Sequence, residues 1–352
     1  MKVVILTDTH IGSRNDSRNF SIFFKRFYDD VFFPYLKQNG IKRVLHGGDL
    51  FERRKYINFQ SLGDARDYFF EPLRDYDVDM IVGNHDTYFK NTNNLNSPTL
   101  LLGEYTNIKV HSAPAEIDLD GFKMAMLPWI CTGNFQESMD FIEKTNATHL
   151  LGHLEIRGFE MYAGSVNDHG FDPKVFDKFA QVYSGHYHHR STHGNISYLG
   201  SPYESTWSDY NDPRGFHVFD TDTRELTFVE NPYRMFHKVY YNDVKEDVEE
   251  LITKDYEHFT NTYVRIVIQE KTNPFGFERL LDKIGKANPI DISFTDDTLD
   301  LSFEDDELME DIEDTQSIIV QSIEQAANPI HQEALKKFML DLYGEAVSLS
   351  RI

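Results

Sequence analysis

The sequence predicts a layered α/β fold, followed by a small α+β domain and a C-terminal helical segment. Three observations point there. Strand-like and helix-like patterns alternate through the first two-thirds of the chain, the rhythm breaks at Asn231–Met235, and the last apolar residues recur at helical spacing. At 352 residues the chain also exceeds the size at which one core usually stops growing, so a large domain plus a smaller one is expected.

Lys2–Thr7 reads as a buried strand, and Ser17–Gln38 as a helix whose apolar face carries Phe20, Phe23, Phe24, Phe27, Val31, Phe32, Tyr35 and Leu36. Strands are expected at Arg43–His46 and Met80–Val82, with a helix near Asn58–Arg74 between them. The rhythm continues through Phe122–Leu127 (strand), Asn134–Lys144 (helix), Thr148–Leu151 and Gln181–Tyr183 (strands). Ile196–Leu199, Gly215–Phe219 and Glu225–Val229 then follow closely enough to suggest a sheet-rich finish to a first domain, residues 1–232. Strands at Lys238–Tyr241 and Thr262–Gln269 and a helix near Phe277–Lys286 define a small domain, residues 233–302. Asp296–Asp314 holds eleven acidic residues and no basic one, which predicts an exposed linker at 303–314. In the segment 315–352, Leu335, Phe338, Met339, Leu342, Tyr343 and Ala346 mark one face of an amphipathic helix.

Forty per cent hydrophobic and 14% aromatic residues supply ample core and argue against global disorder. Cys131 is the single cysteine, so no internal disulfide can form, and a reducing compartment fits. The chain opens directly on a strand pattern, with no leader-like or membrane-spanning stretch, which predicts a soluble, cytoplasmic protein without membrane contact. The net charge of −23 weighs against autonomous nucleic-acid binding. Residues 290–352 account for much of it, with 16 acidic and 3 basic side chains. Arg14, Arg18, Lys25, Arg26, Arg53, Arg54 and Lys55 lie instead around the first motifs.

Five short segments follow predicted strands: Asp8-Thr9-His10, Gly48-Asp49, Gly83-Asn84-His85-Asp86, Gly152-His153 and Gly185-His186-Tyr187-His188. Strand ends in layered α/β folds converge on one edge of a sheet, where loops pool their side chains. Asp, Asn and His are hard to borderline ligands suited to manganese, iron or zinc. Two cations about 3.5–4 Å apart can hold both the attacking and the leaving oxygen of an in-line displacement. One carboxylate must bridge such a pair, and Asp49, in the middle of the series, is the candidate. A lone Gly-His is ordinarily a satisfied polar group; five such segments in this order are a metal site.

The five segments resemble the signature of the calcineurin-like metallophosphoesterases: D-x-H, G-D-x-x-(D/E)-R, G-N-H-(D/E), G-H and G-H-x-H. The resemblance implies a β-sandwich flanked by helices. It also implies that Asp8, His10, Asp49 and His188 hold one metal, and that Asp49, Asn84, His153 and His186 hold the other. His85 would face the scissile phosphate as general acid or transition-state stabiliser. Glu52 stands where many members carry an acid that orients this histidine, so a Glu52–His85 pair is expected, against a surface ion pair of Glu52 with Arg53 or Arg54. His46, His149, His189 and His193 fall outside the pattern and read as structural or solvent-exposed.

Within that superfamily, the layout is similar to the nuclease subunits of SbcCD-type double-strand-break repair complexes, above all those of T-even-like bacteriophages. Leu127–Trp129 (LPW), Gly200–Ser205 (GSPYES) and Asn211–Phe216 (NDPRGF) fit this branch. The branch implies a manganese-stimulated DNA exonuclease on duplex ends and endonuclease on single strands. It further implies a homodimer and an SMC-like coiled-coil ATPase partner, acting in recombination and repair in the cytoplasm (the host's, for a phage). The helix at Leu335–Ala346 is the candidate contact for the ATPase. A protein phosphatase or small-molecule phosphodiesterase would use the same metals, but Glu52-Arg53-Arg54 departs from the D-R-G expected of a phosphatase. A non-catalytic scaffold for the ATPase would be expected to lack a ligand, and none is missing.

Overall fold

A computed structural model describes residues 1–162, 164–296 and 339. Two six-stranded sheets form the frame. In the first the order is Leu226–Glu230, Gly215–Asp220, Lys2–Leu6, Arg43–His46, Asp77–Ile81, Ile108–His111. The last four of these run parallel, and Gly215–Asp220 lies antiparallel to Lys2–Leu6. In the second the order is Ser191–His193, Ile196–Tyr198, Gln181–Gly185, His149–His153, Phe122–Leu127, Ala115–Leu119, with the middle four parallel.

Alternation along each strand makes the layers. Val3 and Ile5 point inward with Leu45 and Ile81 and meet Met124, Met126, Leu151 and Tyr183 of the opposite sheet in one core. Val4 and Leu6 point outward with Val44, Val78 and Met80 and pack beneath the Phe-rich helices. Ala125, Leu127, Leu150 and Val182 form the outer face of the second sheet, covered by Ile142 of the Phe135–Lys144 helix. Strands with both faces covered are apolar throughout, which is why they stood out in the sequence.

The first expected helix is three pieces: α-helix over Arg18–Phe27, π-helical turn over Tyr28–Phe32, α-helix over Phe33–Gln38. Pro34 has no N–H to offer the turn before it, and the chain widens to π spacing there. A second π turn, Arg66–Phe70, likewise precedes Pro72.

From Phe236 onward, three parallel strands (Phe236–Asn242, Tyr263–Glu270, Asp291–Asp296) carry helices Val248–Thr253 and Pro274–Gly285. Val239, Tyr241, Val264, Ile266, Leu280 and Ile284 give this part its own core. It joins the sandwich through Met235 and Phe236, whose backbone N–H groups donate to the buried Glu204 carboxylate at 2.6 and 2.9 Å. Tyr263 stacks on Phe20 with ring centroids 5.7 Å apart.

The chain divides after Thr298 into a first part, Met1–Thr298, which is compact, and a second, Leu299–Ile352. The expected linker at 303–314 and the helix at Leu335–Ala346 fall in the second and, Met339 apart, lie outside the described residues. Among the described residues no helix is long and apolar enough to cross a membrane.

Candidate metal centre

Five parallel strands, three from the first sheet and two from the second, end at one edge of the sandwich, and the chain must turn sharply after each. Asp8, His10, Asp49 and His186 all take positive φ, between 41° and 91°, a region that side-chain-bearing residues rarely occupy. The loops brace one another in this conformation: Asp8 N–H donates to the Gly48 carbonyl at 3.0 Å and His10 N–H to the Asp49 carbonyl at 3.1 Å. Two glycines are required by close approach. A Cβ on Gly83 would collide with the Asp49 carboxylate, and one on Gly185 with Thr7 and Asp8.

All seven side chains expected to hold metal meet at this edge. Asp8, His10 and His188 offer ligand atoms within 4.8 Å of one another, as do Asp49, His153 and His186. His10 Nε2 lies 2.9 Å from His188 Nε2. In the second group, Asn84 Oδ1 lies 2.9 Å from His153 Nε2 and 3.0 Å from His186 Nδ1. Asp49 Oδ2 is 3.2 Å from His153 Nε2 and 3.8 Å from His10 Nε2, so it stands between the groups.

The donor set fits cations. His153 Nδ1 lies 2.9 Å from the Gly47 carbonyl and so carries a proton. In a neutral ring the Nε2 lone pair then faces the oxygens of Asn84 and Asp49, an arrangement of acceptors that only a proton or a metal ion between them makes favourable. Electrostatics make the same demand. Burial and the Asp49 charge raise the Asp8 carboxyl above its usual range, whereas His153, His85 and His10 outweigh burial and hold Asp49 well below it. Burial would lower His10, but Glu52, Asp49 and Asp8 bring it up to about 10; His153, beside Asp49, rises to about 9 against the same penalty. Burial keeps His186 neutral, down to about 3, and His188 well below its usual value. Protons on two histidines and divalent cations answer the same excess of negative charge.

His85, half-buried, donates its backbone N–H to Asp49 Oδ1 at 2.9 Å. Glu52 takes a different place from the one expected. Its carboxylate lies 2.7 Å from His10 Nδ1, and it is the Glu52 backbone carbonyl that meets His85 Nδ1, at 2.6 Å. The carboxylate thus backs a candidate ligand, and His85 is oriented by main chain.

The four histidines near the motifs but outside the pattern have other partners. His46 is buried and neutral, lowered to about 3 by burial, with Nε2 3.1 Å from Thr9 Oγ1 and Nδ1 accepting from Gly48 N–H. His149 Nδ1 lies 3.0 Å from Thr148 Oγ1, His189 pairs with Asp212 at 2.9 Å, and the exposed His193 meets the Phe159 ring.

Two supporting residues lie in segments that the sequence singled out, but without a role of their own. Asp86 accepts from the N–H groups of Leu50, Phe51 and Gly83 and ties the Asp49 and Asn84 loops together; burial and Asp49 push its carboxyl up to about 7. Arg214, 1% exposed, donates to the His188 carbonyl and to Ser201 Oγ and pairs with Asp209 and Asp212. Its signal was the arginine within NDPRGF, directly ahead of the strand Gly215–Asp220.

The family model for calcineurin-like phosphoesterases matches residues 1–190. Exonuclease subunit 1 of Enterobacteria phage T4 is 32% identical over 354 residues, covering 98% of this chain and 99% of that protein. The SbcD component of the SbcCD nuclease of Staphylococcus epidermidis is 23% identical over 322 residues, 79% of this chain and 78% of that one. On these matches and this fold, the chain belongs to the calcineurin-like phosphoesterases and is a metal-dependent hydrolase of phosphodiesters.

Proposed function

We propose that the chain is a two-metal DNA nuclease, acting as exonuclease on duplex ends and endonuclease on single strands. In this reading it is the nuclease subunit of an ATPase-coupled recombination and repair complex. What carries the reading is the relationship to exonuclease subunit 1 over 98% of the chain, joined to a centre in which two ligand groups meet at Asp49. Asp8, His10, Asp49 and His188 would hold one ion and Asp49, Asn84, His153 and His186 the other, with manganese the expected metal. Such ions supply Lewis acidity toward the phosphoryl group.

The protein's own part follows from its contacts. With Nδ1–H engaged by the Glu52 carbonyl, His85 is left with Nε2 to hydrogen-bond a phosphoryl oxygen and to move a proton there. Glu52 keeps the His10 ring in one orientation. The net charge of −23 supports reliance on a partner for much of the basic surface that duplex DNA requires, and the SMC-like ATPase is the proposed source. A homodimer completes the proposed assembly.

End-labelled duplex and single-stranded DNA, incubated with Mn²⁺, Mg²⁺ or EDTA, test the proposal. Manganese-dependent cleavage is expected. Asp49→Ala should lose it together with binding of two metals, whereas His85→Ala should lose about two to four orders of magnitude while both metals stay. Intact DNA beside rapid hydrolysis of a phosphopeptide or small phosphodiester, with the ATPase present or absent, would overturn the nuclease reading. Co-purification and light scattering report on the ATPase and the dimer.

A further inference from the structure

Away from the metal centre, the flank of the sandwich holds a cleft of about 460 Å³, lined from the edge strands of both sheets. Its chemistry runs against that of the chain. The net charge is −23, yet the cleft is lined by Arg190 and Arg224 and by no carboxylate. Neither guanidinium is ion-paired among the described residues; Arg190 lies 3.8 Å over the Phe228 ring. Two further polar groups lack partners there among the described residues. His217, only 4% exposed, makes no ring hydrogen bond, and Ser191 Oγ is buried with none. Burial and the charge of Arg190 keep His217 neutral, so its ring offers one donor and one acceptor. A buried hydroxyl without a partner is rare in native proteins, and one beside an unbonded imidazole and two unpaired guanidinium groups in a concave site points to a ligand.

We propose that this cleft binds a phosphorylated ligand with a planar aromatic body, a nucleoside monophosphate, independently of the metal centre. Two guanidinium groups lining one cleft match a phosphate dianion in charge. Tyr183 and Leu226 supply an apolar wall for a flat ring, and the His217 ring bonds its polar edge. The volume lies within the range of small-molecule sites, about 300–1,000 Å³. The lining itself sets this ligand class, whatever substrate the metal centre cleaves.

The test is calorimetric titration of the full chain with thymidine 5′-monophosphate in EDTA, beside titrations with thymidine and with inorganic phosphate. The nucleotide should bind the wild type and Asp49→Ala alike, and bind Arg190→Gln and Arg224→Gln about tenfold or more weakly. Both arginines are exposed, and retained manganese-dependent hydrolysis of a chromogenic phosphodiester would show that the variants are folded. Thymidine and phosphate alone should each bind less tightly than the nucleotide. Absence of saturable binding, or binding lost in Asp49→Ala and kept in both arginine variants, would overturn the proposal. Phosphate binding as tightly as the nucleotide would overturn the planar-body assignment.

Discussion

Glu52, at the metal centre, and Glu204, where the three-stranded sheet joins the sandwich, are the same residue type in two enclosed places, and their protonation goes opposite ways. Burial would raise Glu52, but His10 at 2.7 Å overrides it and holds the carboxyl at about 2. Glu204 is 0% exposed and faces two backbone N–H groups, with Arg234 no nearer than 4.0 Å; burial wins and pushes it up to about 7. At Glu52 a full opposite charge stands beside the carboxyl, whereas at the joint Glu204 meets two backbone dipoles and a cation no nearer than 4.0 Å. Hydrogen bonds from amides soften the cost of enclosing a carboxylate, and a full charge beside it reverses the outcome.

The strongest way to break this contrast is to remove a compensating charge at the centre. Arg214→Met would leave Asp209 and Asp212 buried without their cation and the His188 carbonyl without its donor. We expect a loss of about 3–5 kcal/mol in urea denaturation, with weaker metal retention. Stability close to the wild type would show that compensation at the centre is dispensable. A smaller effect is expected from Glu52→Gln, which keeps the shape and deletes the charge behind His10. Metal affinity or activity should fall about 10- to 100-fold. Metal titration should place that loss at one site of two, because His153 is oriented by the Gly47 carbonyl instead. Equal weakening at both sites would sink the view that Glu52 acts through His10.

How much of this was legible in the sequence follows from where each signal resides. Asp8, His10, Asp49, Asn84, His153, His186 and His188 were readable because each sits at the end of a strand whose two faces are covered, so an apolar run stops abruptly at a polar motif. The Phe20–Leu36 stripe was readable by its period, but not the π turn within it, which depends on the geometry ahead of Pro34. The strand Asp291–Asp296 was missed because it is partly exposed and its DISFTD pattern is weakly apolar. Arg214 was given no role, and the Glu52 carboxylate was expected on His85 and lies on His10, for a common reason: their partners are chosen in space. A buried arginine bonded to a carbonyl 26 residues away leaves no spacing to detect, and a carboxylate between two histidines does not announce which it will take.

The finest test of the contrast concerns the joint alone. In the unfolded chain Glu204 titrates near the ordinary glutamate value of 4.5, and in the folded protein near 7. The folded state therefore holds a proton that the unfolded state has released between those values. Its contribution to stability is fully present below about pH 4.5 and is lost as the pH rises through 7, by about 3 kcal/mol at most. Glu204 Oε1 has no hydrogen-bond partner among the described residues, which suits a protonated oxygen better than a charged one. Glu204→Gln keeps an acceptor for Met235 and Phe236 N–H and cannot ionise. Denaturation of both proteins between pH 5 and 8 should show the wild type losing stability relative to the variant as the pH rises. Parallel curves would mean that the two amide donors suffice to keep the carboxylate charged, and that the joint, like the centre, compensates what it buries.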